Sequence, residues 1–191
     1  MPAPVHVLLI SGSLRAGSTN SALLRTAAAL APEADVAATL YDGMARLPHF
    51  NPDDDREGEP VAAPVADLRA AIRAADALVI STPEYAGALP AVLKNLLEWT
   101  VGDASTYRKP VAWVNTAGAA APTGAADAHE SLRKVLGYVH ADVVEAACAR
   151  IPVARAAVGA DGLIADAEIR ARIADVLRAL VVQSPPAEQP R

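Results

Sequence analysis

The 191-residue sequence predicts a three-layer α/β domain built on a doubly wound sheet of five parallel strands. Three observations predict it. Short apolar runs, the pattern of strands buried on both faces, alternate with segments whose apolar residues recur three and four apart. No repeat or low-complexity segment interrupts the alternation before the C-terminal tail. The loops leaving the first, third and fourth runs are rich in Gly, Ser, Thr, Pro or Ala, and in parallel sheets ligands bind beyond the carboxyl ends of the strands.

The first strand is Val5 to Ile10, ending at Ser11-Gly12-Ser13. A helix runs from about Thr19 to Leu30, with Leu23, Ala27 and Leu30 on one face and Pro32 just past its end. Val36 to Tyr41 reads as the second strand. Asp42 to Ala63 is a polar stretch long enough for a functional flap. Its Asp53-Asp54-Asp55 run reads as a solvated loop rather than a cation site, because no further ligands keep a binding-loop spacing. The second helix covers Pro64 to Ala75, with Val65, Leu68 and Ile72 inward and Pro in its first turn. Ala77 to Ile80 is the third strand. The third helix carries Leu89, Val92, Leu93, Leu96 and Leu97 on one face. Val111 to Asn115 is the fourth strand. The fourth helix begins near Asp127, where Asp127 and Glu130 have capping-box spacing, and is striped by Leu132, Val135, Leu136 and Val139. Val143 to Ile151 reads as the fifth strand, with Cys148 as a core filler. Asp166 caps the fifth helix, striped by Ile169, Ile173, Val176, Leu177 and Leu180. One domain over 1–183 is expected, followed by a disordered Pro-rich tail at 184–191.

The loop after the first strand carries chemistry. Strand, hydroxyl-rich glycine loop and helix together make a phosphate cradle, since N–H groups at a helix start point outward and the helix dipole favours an anion. Ser11, Ser13, Ser18, Thr19 and Asn20 offer side-chain donors, and Arg15 offers a fixed cationic fork. Gly12 and Gly17 have the spacing of a triphosphate-binding loop, but Ser18 stands where that motif needs Lys, and no G-x-G-x-x-G is present. The loop therefore reads as a site for a single phosphate; the alternative is an ordinary capped helix with an incidental Arg. A phosphate loop after strand 1 of a five-stranded sheet fits the flavodoxin-like order 2-1-3-4-5.

Apolar residues make up 52 % and charged residues 20 %, an ordinary globular balance, and the net charge of −5 argues against a nucleic-acid surface. A single cysteine, Cys148, excludes an intramolecular disulfide and a cysteine-rich metal site. No segment reads as a signal peptide or membrane span, so the expected location is the cytoplasm. His6, His49, His129 and His140 form no evident cluster, and neither a catalytic side chain nor a metal site is expected.

Two stretches together resemble a known family. Gly12-Ser-Leu-Arg-Ala-Gly-Ser-Thr-Asn20 and Thr82-Pro-Glu-Tyr-Ala-Gly-Ala-Leu-Pro-Ala-Val-Leu-Lys-Asn-Leu-Leu-Glu-Trp99 are similar to motifs of the NADPH-dependent FMN reductases, flavodoxin-like quinone, chromate and azo-dye reductases. The resemblance runs from the first strand through the fourth helix. It implies that Ser13, Arg15, Ser18 and Asn20, with Ser11 and Ser21, hold the FMN phosphate. Pro83, Glu84, Tyr85, Ala86 and Gly87 would lie along the flavin ring, with Thr116 to Gly118 closing its other side. Lys94, Asn95 and Trp99 match the helical part of the motif and imply structural or dimer-contact roles.

Two departures stand out: Ala86 where the family usually has Asn, and Ala119-Ala-Ala-Pro-Thr-Gly124 in place of a more Gly-rich third loop. The implied activity is hydride transfer from NADPH or NADH through FMN to a quinone, free flavin, azo compound or metal oxyanion, by a homodimer or homotetramer. Arg46, Arg108 and Lys109 are loose candidates for selecting NADPH. A flavodoxin-type electron carrier and a non-enzymatic flavin sensor are the alternatives. Carriers usually sandwich the ring between aromatics, whereas here Tyr85 is the only aromatic of the second loop and 116–126 contains none.

Overall fold

Leucine and β-branched runs make the strands, and their alternation divides the core in two. The computed structural model describes residues 4–118 and 121–183. In it β1 (Val5–Ser11), β2 (Val36–Leu40), β3 (Ala77–Ser81), β4 (Pro110–Asn115) and β5 (Asp142–Val143) lie parallel in the order β2-β1-β3-β4-β5. This is the flavodoxin-like order expected. Val7 and Leu9 turn to one face of β1, Leu8 and Ile10 to the other, as a period of two requires. The first pair packs under α1 (Thr19–Leu30) and α5 (Ala167–Gln183), with Leu23, Leu24, Ile173 and Leu177 buried there. The second pair packs under α2 (Ala63–Ala74), α3 (Ala91–Glu98) and α4 (Ala126–Tyr138), with Leu68, Ile72, Leu93, Leu96 and Leu132 buried. Three layers result. Among the described residues no helix is long and apolar enough to cross a membrane. The tail at 184–191 lies outside the described residues.

Three expectations need correction. The fifth strand is interrupted: β5 ends at Val143, a 3-10 turn spans Glu145–Ala147, and β6 (Ala149–Arg150) returns to pair with the end of β4. That turn drives Ala147 into the core at 1 % exposure, which breaks the two-residue alternation. Cys148 follows it half-buried, and burial pushes its thiol up to about 11. The capping box of α4 does not form, because Ala125 rather than Asp127 is the N-cap residue and Asp127 lies inside the first turn. At α5, by contrast, Asp166 accepts the Ile169 N–H at 2.9 Å, as the sequence suggests.

The third correction concerns the 42–63 stretch, which is fastened rather than free. The Pro48 carbonyl accepts Trp99 Nε1–H and Asn95 Nδ2–H, both at 2.9 Å, and Asn95 Oδ1 accepts the Phe50 N–H at 2.8 Å. The Phe50 ring meets Trp99 edge-on at 5.0 Å. Asp55, expected in a solvated acidic run, has a buried side chain: Arg69 Nη2 donates to both its oxygens at 2.8 Å, while Arg69 Nε donates to the Trp99 carbonyl. A Cβ on Gly102 would overlap the Asp55 carboxylate, so the backbone there needs glycine. Trp99 is fully buried in this arrangement and is no surface for a second copy.

One buried group makes stability depend on pH. His129 on α4 is 6 % exposed and stacks on Trp113 at 3.7 Å between ring centroids. Neither ring nitrogen has a partner among the described residues. Burial, and then the nearby Arg150 guanidinium, push its pKa down to about 4. The unfolded chain takes up this proton near pH 6.5 and the folded chain only near 4, so the stabilisation is complete above 6.5 and is lost as pH falls between them. Lowering the pH from 7 to 4.5 should cost about 2 kcal/mol through this residue alone. Denaturant melts of His129→Leu across that range should show a correspondingly shallower pH slope than the parent; equal slopes would reject the assignment.

Candidate active site

The carboxyl ends of β1, β3 and β4 are level, Ser11 standing beside Ser81 and Ser81 beside Val114. The loops leaving them enclose a cleft of about 480 Å³. Two of the loops approach closely. The Gly12 N–H donates to the Ser81 carbonyl at 2.8 Å, and a Cβ on Gly12 would overlap the Thr82 side chain. Asn20 joins all three: its Oδ1 accepts Ser81 Oγ–H at 2.9 Å and Thr116 Oγ1–H at 3.2 Å. Thr19 and Thr116 hydroxyls also pair, at 3.0 Å.

At the β1 end of the cleft lies an uncapped helix start. Ser18 is the N-cap residue of α1 but makes no side-chain cap hydrogen bond, and the first turn holds no acidic residue. Its hydroxyl and the first N–H groups of α1 are thus open to an anion. Ser13, Arg15, Ser18, Thr19 and Asn20 line the cleft there. Among the described residues Arg15 forms no ion pair. The donor set and the glycine approach fit a phosphate monoester.

Pro83, Glu84 and Tyr85 line the middle of the cleft, and Thr116, Ala117 and Gly118 its far side. Asn115 shapes that far loop: its Oδ1 accepts the Ala117 N–H at 2.5 Å and its Nδ2 donates to the Gly124 carbonyl at 2.6 Å. The Glu84 carboxylate is occupied. It accepts the Thr123 hydroxyl at 2.8 Å and the Ala128 N–H at 3.2 Å, and so supplies the cap that α4 lacks locally. It also counters the positive end of the α4 dipole.

The sequence-predicted residues divide accordingly. Ser13, Arg15, Ser18, Asn20, Pro83, Glu84, Tyr85, Thr116 and Gly118 meet in the cleft, whereas Ser11, Ser21, Ala86 and Gly87 do not line it. Ser11 and Ser21 bond each other through their hydroxyls at 2.9 Å, beneath the loop. Ala86 and Gly87 form the outer turn of the second loop, with φ of 52° and 70°, closed by Tyr85 and Ala88. Thr19, one of the donors expected in the cradle, lines the cleft too, whereas Thr82, Asn115 and Arg155 line it and were not predicted as site residues. Thr82 and Asn115 end on strand termini that the sequence already indicates; Arg155 has no motif around it.

None of the loose cation candidates lines the cleft. Lys109 sits at the amino end of β4, where it donates to the Ala75 carbonyl and burial lowers its pKa. Arg46 pairs with Asp42, and Arg108 with Asp142. Beside the cleft an apolar groove runs between α3 and α4, lined by Leu89, Leu97, Val101, Val135 and Tyr138. Tyr85 lines both groove and cleft.

The chain is similar to known proteins. Residues 5–156 match the protein family described as NADPH-dependent FMN reductase. An NAD(P)H-dependent FMN reductase of Pseudomonas aeruginosa is 36 % identical over 182 residues, covering 94 % of this chain and 95 % of that protein. A quinone reductase of Escherichia coli is 34 % identical over 146 residues, covering 75 % of this chain and 76 % of its own. Among solved structures, the flavoenzyme NAD(P)H:(acceptor) oxidoreductase FerB of Paracoccus denitrificans superposes with a TM-score of 0.70 at 26 % identity, covering 92 % of this chain and 97 % of that one.

The outer turn of the second loop yields a stability prediction. Ala86 holds a left-handed conformation at φ 52°, where a Cβ costs about 1 kcal/mol and where Gly or Asn is better tolerated. Ala86→Gly and Ala86→Asn should each raise stability by about 0.5–1 kcal/mol in denaturant melts, and a loss of stability in both would reject the strain.

Proposed function

The chain belongs to the NADPH-dependent FMN reductase family, and from that premise we propose that it reduces quinone-type acceptors at the exposed cleft above β1, β3 and β4. It is an NAD(P)H-dependent oxidoreductase with FMN as its cofactor. When bound, FMN supplies the redox chemistry, taking a hydride from NADPH or NADH and passing it to the acceptor. The chain supplies position, charge and access.

Ser13, Arg15, Ser18 and Asn20 are the proposed phosphate ligands, with the α1 N-terminus behind them. Pro83, Glu84 and Tyr85 on one side and Thr116 and Gly118 on the other are the proposed walls for the ring. Glu84 acts by holding α4 and the third loop in place, since both its oxygens are already hydrogen-bonded. Ser11 and Ser21 support the first loop through their mutual hydrogen bond, and Ala86 and Gly87 form the outer turn that closes the second.

The observation that carries the reading is the poverty of aromatic cover. Tyr85 is the one aromatic residue among the described residues lining the cleft, and it is 51 % exposed. A flat acceptor needs a face on which to stack, and a carrier that sandwiches its flavin leaves none. Quinones satisfy that requirement; free flavins, azo compounds and metal oxyanions are further acceptors the same face would admit.

Assembly follows from the groove between α3 and α4. Val101 and Tyr138 are 62 % and 78 % exposed beside it, an apolar face that a second copy would cover. Light scattering at micromolar concentration should give a dimer or a multiple of it, and Val101→Asp with Tyr138→Asp should give a monomer; a monomeric parent would count against this face.

Two measurements test the site. The purified protein should show bands near ~370 and ~450 nm that bleach when NADPH is added without oxygen, and then return on adding benzoquinone. Bands that persist would make the chain a carrier reduced by another enzyme. Arg15→Ala should lower FMN affinity about ten- to a hundredfold, because a charge-assisted contact contributes about 1.5–3 kcal/mol. Riboflavin, which lacks the phosphate, should bind both proteins alike. Unchanged FMN affinity would remove Arg15 from the phosphate site.

A further inference from the structure

Two guanidinium groups line the cleft, and the FMN cradle accounts for one. Arg15 belongs to the β1–α1 loop, and Arg155 opens a 3-10 turn after β6. Among the described residues neither guanidinium forms an ion pair or a hydrogen bond, whereas those of Arg46, Arg69, Arg73, Arg108 and Arg133 form ion pairs and those of Arg25, Arg170 and Arg172 donate to backbone carbonyls. In a chain of net charge −5, two unpaired arginines at one cleft are a local concentration of positive charge.

The segment carrying Arg155 is held at a defined place. The Ile151 N–H donates to the Asn115 carbonyl at 2.7 Å and the Val153 N–H to the Thr116 carbonyl at 3.1 Å. The segment thus runs along the continuation of β4, on the side away from β3. Because β6 pairs with β4, and β3 lies between β4 and β1, the loops bearing the two arginines start about three strand spacings apart, roughly 14 Å. That separation holds at the sheet, and both side chains line the one cleft above it, Arg15 from the loop that enters α1 and Arg155 from the segment beside β4. With Arg15 on the cradle loop, Arg155 is the cation open to a second phosphate.

Resting on the reading of the cleft as an FMN reductase site, we infer that Arg155 binds a phosphate of the nicotinamide dinucleotide, either the pyrophosphate or the 2′-phosphate. Its exposure at the rim suits a ligand that arrives and leaves in each cycle, and its planar fork suits a phosphate ester. It is a binding residue and takes no part in hydride transfer.

Binding titrations test this without relying on turnover. FMN-loaded parent, Arg155→Ala, Arg155→Gln and Arg155→Lys are titrated calorimetrically with NADP⁺ and NAD⁺, and the apoproteins with FMN and riboflavin. Arg155→Ala should weaken NADP⁺ about tenfold, the lower end for a charge-assisted contact at an exposed rim, and leave FMN unchanged. Arg155→Lys should stay within about threefold of the parent, and Arg155→Gln should repeat the loss if the alanine variant fails to fold. Loss for NADP⁺ alone assigns the 2′-phosphate, and loss for both dinucleotides assigns the pyrophosphate. Unchanged dinucleotide affinity overturns the inference, as does any loss of FMN affinity, which would make Arg155 part of the flavin cradle. A parent that binds no FMN would defeat the functional reading itself.

Discussion

The side-chain oxygen of Asn20 is the point on which the cleft depends. It accepts hydroxyl protons from Ser81 and Thr116, and so draws the helix after β1 against the ends of β3 and β4. Gly12 makes the approach possible, since any side chain there would meet Thr82. With these contacts buried, three loops from different strands are tied into one rim. Rigidity is what a cofactor site needs, because positional error in a cradle reduces the differential binding on which catalysis rests.

The same economy appears at Glu84. An acidic residue beside a bound phosphate and an electron-rich ring would be unfavourable if free. Here its charge is turned away onto the Thr123 hydroxyl and the start of α4. The cleft therefore keeps its two arginines as effective cations in a chain that is otherwise acidic. Local arrangement, not net charge, sets the sign of the site.

Periodicity made most of the fold legible. Helix stripes such as Val65, Leu68 and Ile72 are buried as their spacing demands, and the strand order follows from the position of the phosphate loop. The failures come from tertiary partners that local sequence does not contain. Asp127 and Glu130 have the spacing of a cap, but the Glu84 carboxylate, 44 residues before Ala128, takes the helix start instead. Asp55 looks like a solvated member of an acidic run until Arg69 meets it in the interior. Trp99 looks available to a second copy until residues 48–50 cover it. In the cleft, the residues on motifs could be read in advance. Arg155 could not, because only the pairing of β6 with β4 brings its segment to the rim.

Tyr85 is shared by the cleft and by the groove between α3 and α4. Two sites that use one side chain are thermodynamically linked when their occupants favour different orientations of it. If covering the groove favours one orientation of this ring, it changes ligand affinity in the cleft by some factor, and filling the cleft must change the association constant of the two copies by that same factor. The reciprocity needs no movement of the sheet and no long path through the core. Under the proposed assembly, the oligomeric equilibrium would then report on the loading of the cleft.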